Sequence, residues 1–231
     1  MARRFPPALL TLLYPDDCRV CARPLLRITR VPVCSECLEG LAPLDARESG
    51  GMDSHGLREF DWGRGYGAYE GNLRSLIHLL KYAGMRPLAR PLAARIATLL
   101  EAAGPVDLIV PAPLHWWRRY RRGFNQAELL AAEVSRLAGI PMAGVLRRRK
   151  ATQTQTGLTR QERHLNVRGA FQVRRPWMVA GRRVALVDDV VTTGATADAC
   201  AAALKGAGAA RVVVLALGQA RQAAAAMAAG A

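Results

Sequence analysis

Long apolar runs and the common nucleotide-binding motifs are missing from this 231-residue sequence. No apolar run reaches about 18 residues, which excludes a membrane-spanning helix. No G-x-x-x-x-G-K-[ST] run occurs, so the chain has no Walker A loop. Gly63, Gly65 and Ala68 fit a loose G-x-G-x-x-A pattern. No strand pattern precedes them, and we do not interpret them as a dinucleotide site.

We do not expect the first residues to form a secretory leader. Residues 8–14 are largely apolar, but the stretch is short, follows Pro6 and Pro7, and lacks a small-x-small cleavage site. We interpret it as a short helix that packs on the next element. The sequence therefore predicts a cytoplasmic protein, in which thiols stay reduced and disulfides are not expected.

Lysine and acidic residues are scarce, whereas arginine is abundant. The chain has 33 basic residues, of which three are lysines, and 18 acidic residues, so its net charge is +15. Residues 1–60 carry eight residues of each sign, but residues 115–183 carry 16 basic and three acidic residues, net +13. This excess favours a polyanionic partner: a nucleic acid, a phosphorylated metabolite or an anionic surface.

Four of the five cysteines form two C-x-x-C pairs, with 12 residues between the pairs. They are Cys18, Cys21, Cys34 and Cys37. Two tight turns that each present two thiolates can build the tetrahedral sulfur cage that zinc prefers. A redox pair is the alternative, but a redox C-x-x-C normally occurs once. We predict one structural zinc in a small zinc-ribbon domain over residues 1–60, whose last part is a linker, followed by a second domain over residues 61–231.

The second part of the chain alternates strand and helix patterns, which predicts an α/β fold with a doubly wound parallel sheet and helices on both faces. Cys200 falls in an alanine-rich helical stretch, and we predict that it is buried. A ligand is expected beyond the carboxyl ends of the strands. We predict strands at 62–69, 107–110, 183–187 and 211–217 and helices at 71–82, 87–101 and 125–137.

One predicted strand leads into the segment with the clearest chemistry. Asp188 and Asp189 follow the buried run at its carboxyl end, where their oxygens can accept hydrogen bonds from a sugar diol. The next turn opens a helix, whose free N–H groups form a cradle for a phosphate. A single acid pair has too few ligands for a metal site. The pattern predicts a ribose 5-phosphate site made by Asp188, Asp189, Thr192, Thr193, Gly194, Ala195 and Thr196.

The stretch from Val184 to Thr196 resembles the 13-residue phosphoribosyl pyrophosphate (PRPP) signature of type I phosphoribosyltransferases. The resemblance implies a central parallel sheet with a mobile catalytic loop. It also implies that Asp188 and Asp189 hold the ribose hydroxyls, that residues 192–196 hold the 5-phosphate, and that magnesium arrives with the pyrophosphate.

Further stretches narrow the resemblance to the competence protein F (ComF/GntX) family. They are Tyr69-Glu70-Gly71, Lys81-Tyr82, the run 111–126, and the polar segment 152–171, together with the paired cysteines. The resemblance implies a role in the uptake of single-stranded DNA during natural transformation, with other DNA-uptake proteins as partners. The chain has cysteines for one four-sulfur site only.

Two basic stretches favour single-stranded nucleic acid, because arginines bind phosphates and aromatic rings stack on unpaired bases. The first comprises Arg118, Arg119, Arg121 and Arg122 beside Trp116 and Trp117; the second is Arg147, Arg148, Arg149 and Lys150. The alternative is that the two tryptophans belong to the core. The second stretch leads into a polar segment similar to the mobile loop that closes over PRPP.

Two functions from different classes remain open at the level of the sequence. The first is a PRPP-binding DNA-uptake factor; the second is an active phosphoribosyltransferase, in which a nucleophilic nitrogen displaces pyrophosphate from the ribose. His78, Lys81 and His115 are acid–base candidates, and no catalytic residue is assigned.

Overall fold

A parallel sheet forms the centre of the fold. The computed structural model describes residues 16–25, 30–45, 59–114, 123–149 and 169–221. The strands in these ranges are β1 Trp62–Ala68, β2 Leu108–Pro111, β3 Leu146–Arg148, β4 Phe171–Val173, β5 Arg183–Val191 and β6 Arg211–Gln219. The central sheet has the order β1-β6-β5-β2 with every neighbouring pair parallel, while β3 and β4 form an antiparallel hairpin.

The helices cover both faces of this sheet, which confirms the predicted fold class. They are α1 Ser35–Glu39, α2 Gly71–Tyr82, α3 Ala89–Ala97, α4 Leu100–Ala103, α5 Gln126–Ala138 and α6 Ala195–Gly206. Alternate residues of β5 and β6 point to opposite faces. Val213 and Leu215 pack in the cluster that includes α2, α3 and α5, whereas Val212 and Val214 pack in the cluster that includes α6. Cys200 lies fully buried in the second cluster, as predicted.

Two predicted elements differ from the structure. The helix predicted at 87–101 is a 3-10 turn at Arg86–Leu88 followed by α3 and the short α4. The break lies at Thr98, whose hydroxyl donates to the carbonyl of Arg95 at 2.8 Å and so competes with the helical hydrogen bonds. Strand β5 extends to Val191, because β6 is equally long and pairs with it up to Gln219.

Helix α2 crosses over the carboxyl halves of three successive strands. A Cβ atom on Gly67 of β1 would lie 2.8 Å from the Leu73 side chain, and one on Gly218 of β6 would lie 3.2 Å from Ile77. One helical step further, Lys81 contacts Asp189 of β5. Residues four apart share a helix face, so α2 steps from β1 to β6 to β5.

The described cysteine-containing residues pack on the edge strand β1 and on α3. The Tyr66 hydroxyl donates to the Leu41 carbonyl at 2.9 Å, and the Arg64 guanidinium donates to the Leu44 carbonyl at 2.7 Å. Cys18 and Cys37 belong to the same apolar cluster as the α2 face of the sheet. The boundary predicted near residue 60 remains a prediction.

Within the described ranges, no helix is both long and apolar enough to cross a lipid bilayer.

Candidate functional site

The acid pair and the threonine turn lie together at the carboxyl edge of the sheet. Asp188 and Asp189 lie in the last third of β5, paired beside β6, and not in the loop beyond it. The chain then turns through Thr192 to Gly194, and α6 begins at Ala195. Because β5 is a central strand, this turn opens between neighbouring strand ends, where open α/β sheets bind ligands.

Gly194 shapes the start of α6. Its φ of 78° lies in the left-handed region, which glycine adopts without the Cβ clash of other residues. The Thr193 hydroxyl accepts a long hydrogen bond of 3.4 Å from the N–H of Ala195. The first N–H groups of a helix have no acceptor within it, and its dipole is positive there. The turn therefore has the elements of a phosphate cradle.

Lys81 holds one of the two acids by an ion pair. Its Nζ lies 2.8 Å from Oδ1 of Asp189, and the two side chains are only 13% and 14% exposed. The Asp189 N–H donates to Oδ1 of Asp188 at 2.8 Å. Burial, together with the charge of Asp189, raises the pKa of Asp188 to about 7, although this N–H and the charge of Lys81 oppose the rise.

His78 lies on α2 between two tyrosines. Its Nε2 is 2.9 Å from the hydroxyl of Tyr69, and its ring meets that of Tyr82 edge-on at 5.3 Å. Burial and the charges of Arg74 and Lys81 lower the pKa of His78, which favours the neutral ring. His78 and Lys81 remain acid–base candidates, and His115 lies outside the described residues.

Asn125 anchors the segment that follows β2. Its amide donates to the carbonyl of Ala112 at 3.0 Å, and its side-chain oxygen accepts from the N–H of Ala127 at 3.1 Å, which caps α5. The intervening residues 115–122, which include Trp116, Trp117 and Arg118, Arg119, Arg121 and Arg122, lie outside the described residues. Their predicted contact with nucleic acid remains a prediction.

The second basic stretch is partly described. Arg147 and Arg149 are exposed, whereas Arg148 is half-buried with its guanidinium 5.5 Å from the centre of the Phe171 ring. Lys150 and residues 152–168 of the polar segment lie outside the described residues. The three arginines thus differ in how accessible they are to a ligand.

The four paired cysteines converge at a second site. Their Sγ atoms all lie within 4.8 Å of one another, and those of Cys21 and Cys34 are 3.7 Å apart. A tetrahedral zinc with bonds of about 2.3 Å requires sulfur–sulfur distances of about 3.8 Å. The cluster therefore fits a metal ion such as zinc.

Backbone hydrogen bonds and a tight turn position the four cysteines. The N–H of Cys34 points at Sγ of Cys18 at 3.4 Å, and Ala22, with a φ of 58°, closes the turn after Cys21. Burial raises the pKa of Cys18, but the N–H groups of Cys34, Cys21 and Val20 outweigh it and lower the pKa to about 6. Burial and the neighbouring thiols raise the pKa of Cys37. Four thiols this close cannot all ionise unless a cation compensates them.

The sheet, the helix start and the acid pair define the class of protein. A family model described as a phosphoribosyl transferase domain matches residues 121–227, which include β5, the threonine turn and α6. The chain therefore carries a phosphoribosyl transferase domain.

Two curated relatives define the family. The chain is 34% identical over 217 residues to the DNA utilization protein YhgH of Salmonella typhimurium, which covers 89% of this chain and 91% of that protein. It is 39% identical over 142 residues to competence protein F of Haemophilus influenzae, 56% of this chain and 60% of that protein. The chain belongs to the competence protein F family. Its match to the Haemophilus protein spans less than two thirds of that relative's length.

A solved structure is distantly similar. It is the glutamine PRPP amidotransferase of B. subtilis in complex with ADP and GMP, at 22% identity and a TM-score of 0.40, over 56% of this chain and 26% of that chain.

Proposed function

We propose that this protein binds PRPP, or another ligand that contains ribose 5-phosphate, at the carboxyl edge of β5, and that it acts in the uptake of single-stranded DNA. The observation that carries the first part is that Asp188 and Asp189 lie on β5 just before the helix start at Gly194. The names of the relatives, which refer to competence and DNA utilization, support the second part.

In the proposed site, two kinds of protein group bind two different parts of the ligand. The carboxylate oxygens of Asp188 and Asp189 accept hydrogen bonds from the ribose hydroxyls. The N–H groups and hydroxyls of residues 192–196 donate to the 5-phosphate, which the positive end of the α6 dipole attracts. Lys81 offsets the charge of Asp189, so that the acids repel an anionic ligand less.

Magnesium fits this donor set. It prefers oxygen ligands, and proteins usually hold it through one or two carboxylates together with substrate phosphates. Asp188 and Asp189 are the carboxylates that would face it, and its chemistry there would be to offset the charge of the pyrophosphate. Zinc is the metal proposed for the four-cysteine cluster, where it would be structural.

A catalytic phosphoribosyltransferase is the second candidate, and the match to the phosphoribosyl transferase domain supports it. In that reaction a nitrogen of an acceptor attacks C1 of the ribose as pyrophosphate leaves. Release of pyrophosphate only when an acceptor base is present would favour this candidate. Tight PRPP binding with no release for any base or nucleoside would favour the binding function.

Calorimetric titration of the full-length protein with sugar phosphates tests the proposed pocket. Ribose 5-phosphate, and PRPP with magnesium, are expected to bind. 2-Deoxyribose 5-phosphate lacks one hydroxyl and is expected to bind roughly ten-fold more weakly, because a hydrogen bond to a charged group contributes about 1.5–3 kcal/mol. Equal affinities for the two pentose phosphates would contradict the role given to the acids.

The Lys81→Met variant tests the ion pair inside the site. Because the charge of Lys81 lowers the pKa of Asp188, its removal raises that pKa further above the ordinary carboxyl value. At pH 7 less of the acid pair is then ionised. PRPP affinity is expected to fall several-fold at pH 7 and to recover in part towards pH 9, where the pair ionises again but repels the phosphates without the compensating charge of Lys81.

The matched control for this variant is Lys205→Met. Lys205 forms an equally short ion pair with Asp61, 2.8 Å long, in which both side chains are more exposed. The Lys205→Met variant is expected to have the PRPP affinity of the wild type and the same dependence of that affinity on pH. A Lys81→Met protein with the wild-type pH profile would contradict the electrostatic role of Lys81.

A further inference from the structure

Trp177 is the most exposed large apolar side chain of the described residues. It is 71% exposed, compared with 68% for Tyr82 and 45% for Leu137. It lies in the 3-10 turn Pro176–Met178, which connects the β3–β4 hairpin with β5. The proposed ribose phosphate pocket at the carboxyl end of β5 does not include Trp177.

The turn fixes the backbone at Trp177 and leaves its indole in solvent. Pro176 fixes the backbone at the start of the turn, and its carbonyl accepts hydrogen bonds of 3.0 Å from the N–H groups of both Val179 and Ala180. Val179 is fully buried, and Met178 packs against the same cluster. The anchored neighbours leave Trp177 pointing outwards, so a ligand that stacks on it would order little else.

Exposed arginines flank Trp177 in the sequence, and further exposed arginines lie on the β3–β4 hairpin. Arg147 of β3 lies opposite Gln172 of β4, and the Arg174 N–H donates to the Val145 carbonyl at 2.9 Å, beside the start of β3. The Trp177 track, as we name it, comprises Trp177 and the exposed Arg147, Arg149, Arg174, Arg175 and Arg182.

The track is positively charged, and of its arginines Arg182 lies close enough to Asp107 to help lower the pKa of that carboxyl. No acidic residue occurs between Glu162 and Asp188. Of the arginines around Trp177, Arg183 is paired with Asp107, whereas within the described ranges no ion pair is formed by the five arginines of the track. Five arginines around one exposed ring give this surface a positive potential, which attracts a polyanion.

We propose that the Trp177 track binds single-stranded nucleic acid, with phosphates on the arginines and one unpaired base stacked on the indole. The inference extends the proposed DNA-uptake function and rests on its single-stranded partner. A lone exposed ring favours a single strand, because the bases of a duplex are already stacked on one another.

The part of the track beside β5 is separate from the ribose phosphate pocket. Arg182 precedes the first residue of β5, and Asp188 lies six residues further along the chain, so the strand separates them by about 20 Å at its usual rise per residue. The proposed nucleic-acid site therefore lies at the amino end of β5, and the proposed sugar-phosphate site lies at its carboxyl end. A ligand in the pocket would therefore leave Arg182 accessible to the nucleic acid.

Fluorescence anisotropy of a labelled oligothymidine, with the full-length protein, tests the track. Trp177→Ala is expected to weaken binding about ten-fold, while Trp177→Phe, which keeps a ring, loses much less. Neither change alters the dependence on salt. Arg174→Ala with Arg175→Ala is expected to reduce the slope of log affinity against log salt by about 1.4, at about 0.7 per lost phosphate contact.

Controls separate this surface from general effects. Arg90→Ala removes an exposed arginine of α3 outside the track and is expected to leave the affinity close to that of the wild type. Trp177→Ala is expected to keep the wild-type melting temperature, PRPP affinity and duplex affinity. If the alanine variant does not fold, the Trp177→Phe and double arginine variants still decide the matter through affinity and salt slope.

The outcomes that overturn the inference are distinct from those that overturn the function. Two results would overturn the track alone: a Trp177→Ala protein that binds oligothymidine with wild-type affinity, or one that loses as much affinity for duplex as for single strand. A protein partner would then be the better explanation of the exposed indole. No binding of oligothymidine by the wild type at low salt would overturn the track and the DNA-uptake function together, but not the PRPP pocket.

Discussion

Replacement of both acids by their amides, Asp188→Asn with Asp189→Asn, is expected to reduce PRPP affinity by about 100-fold or more. Each carboxylate is assigned a hydrogen bond to a ribose hydroxyl, and bonds to charged groups are the stronger ones. The amides keep the shape of the side chains, so the strand and the helix start stay in place. Calorimetry of the folded variant with PRPP and magnesium measures the loss.

Stability must be controlled in this experiment, because Asp189 also neutralises Lys81. An ammonium group left largely buried without its partner costs stability, so the double variant is expected to melt at a lower temperature than the wild type. Asp107→Asn is the matched control: it removes an acid that pairs with Arg183 at the amino ends of β2 and β5, away from the proposed pocket. It should bind PRPP normally. A folded Asp188→Asn, Asp189→Asn protein with wild-type affinity would refute the ribose-binding role.

Cys18→Ser is expected to abolish the binding of one zinc per chain and to unfold the cysteine-containing segment. Binding of structural zinc contributes about 10–16 kcal/mol in small zinc-finger peptides, so loss of one ligand removes most of what holds the segment. Leu41 and the carbonyl of Leu44 then no longer cover β1. We expect the remaining α/β domain to stay folded, with its edge strand less protected. Elemental analysis and amide hydrogen exchange measure the two effects.

Cys200→Ala is the control for this variant. Cys200 is buried in α6 on the opposite face of the sheet, and its removal should leave one zinc per chain. Zinc-free wild-type protein, or a full zinc content in Cys18→Ser, would contradict the assignment of the four cysteines.

Much of the fold could be predicted from local sequence patterns. The β-branched runs at 183–187 and 211–217 form β5 and β6, and the spacing of the cysteines predicted their convergence. These signals are local, since each depends on residues a few positions apart. The weak glycine pattern in β1 has a structural explanation instead: a Cβ atom on Gly65 would lie 2.5 Å from the Cβ atom of Gln219 on β6, so there is no room for a side chain.

Features that depend on tertiary contacts could not be predicted in this way. The ion pair between Lys81 and Asp189 exists because α2 crosses three strands, and no local pattern specifies that crossing. Asp188 and Asp189 lie within β5 because β6 continues beside them. The exposure of Trp177 depends on the burial of its neighbour Val179, which the sequence does not specify. In the sequence, the consecutive residues Trp116 and Trp117 were the stronger indication of an aromatic binding surface.

A crystal structure of the full-length protein with PRPP and magnesium would test the central claim most directly. We predict the 5-phosphate within hydrogen-bonding distance of the N–H groups at the start of α6, and the ribose hydroxyls within that distance of Asp188 and Asp189. A ligand bound elsewhere, or one whose phosphate faces the acids and whose ribose is turned away from them, would contradict the account.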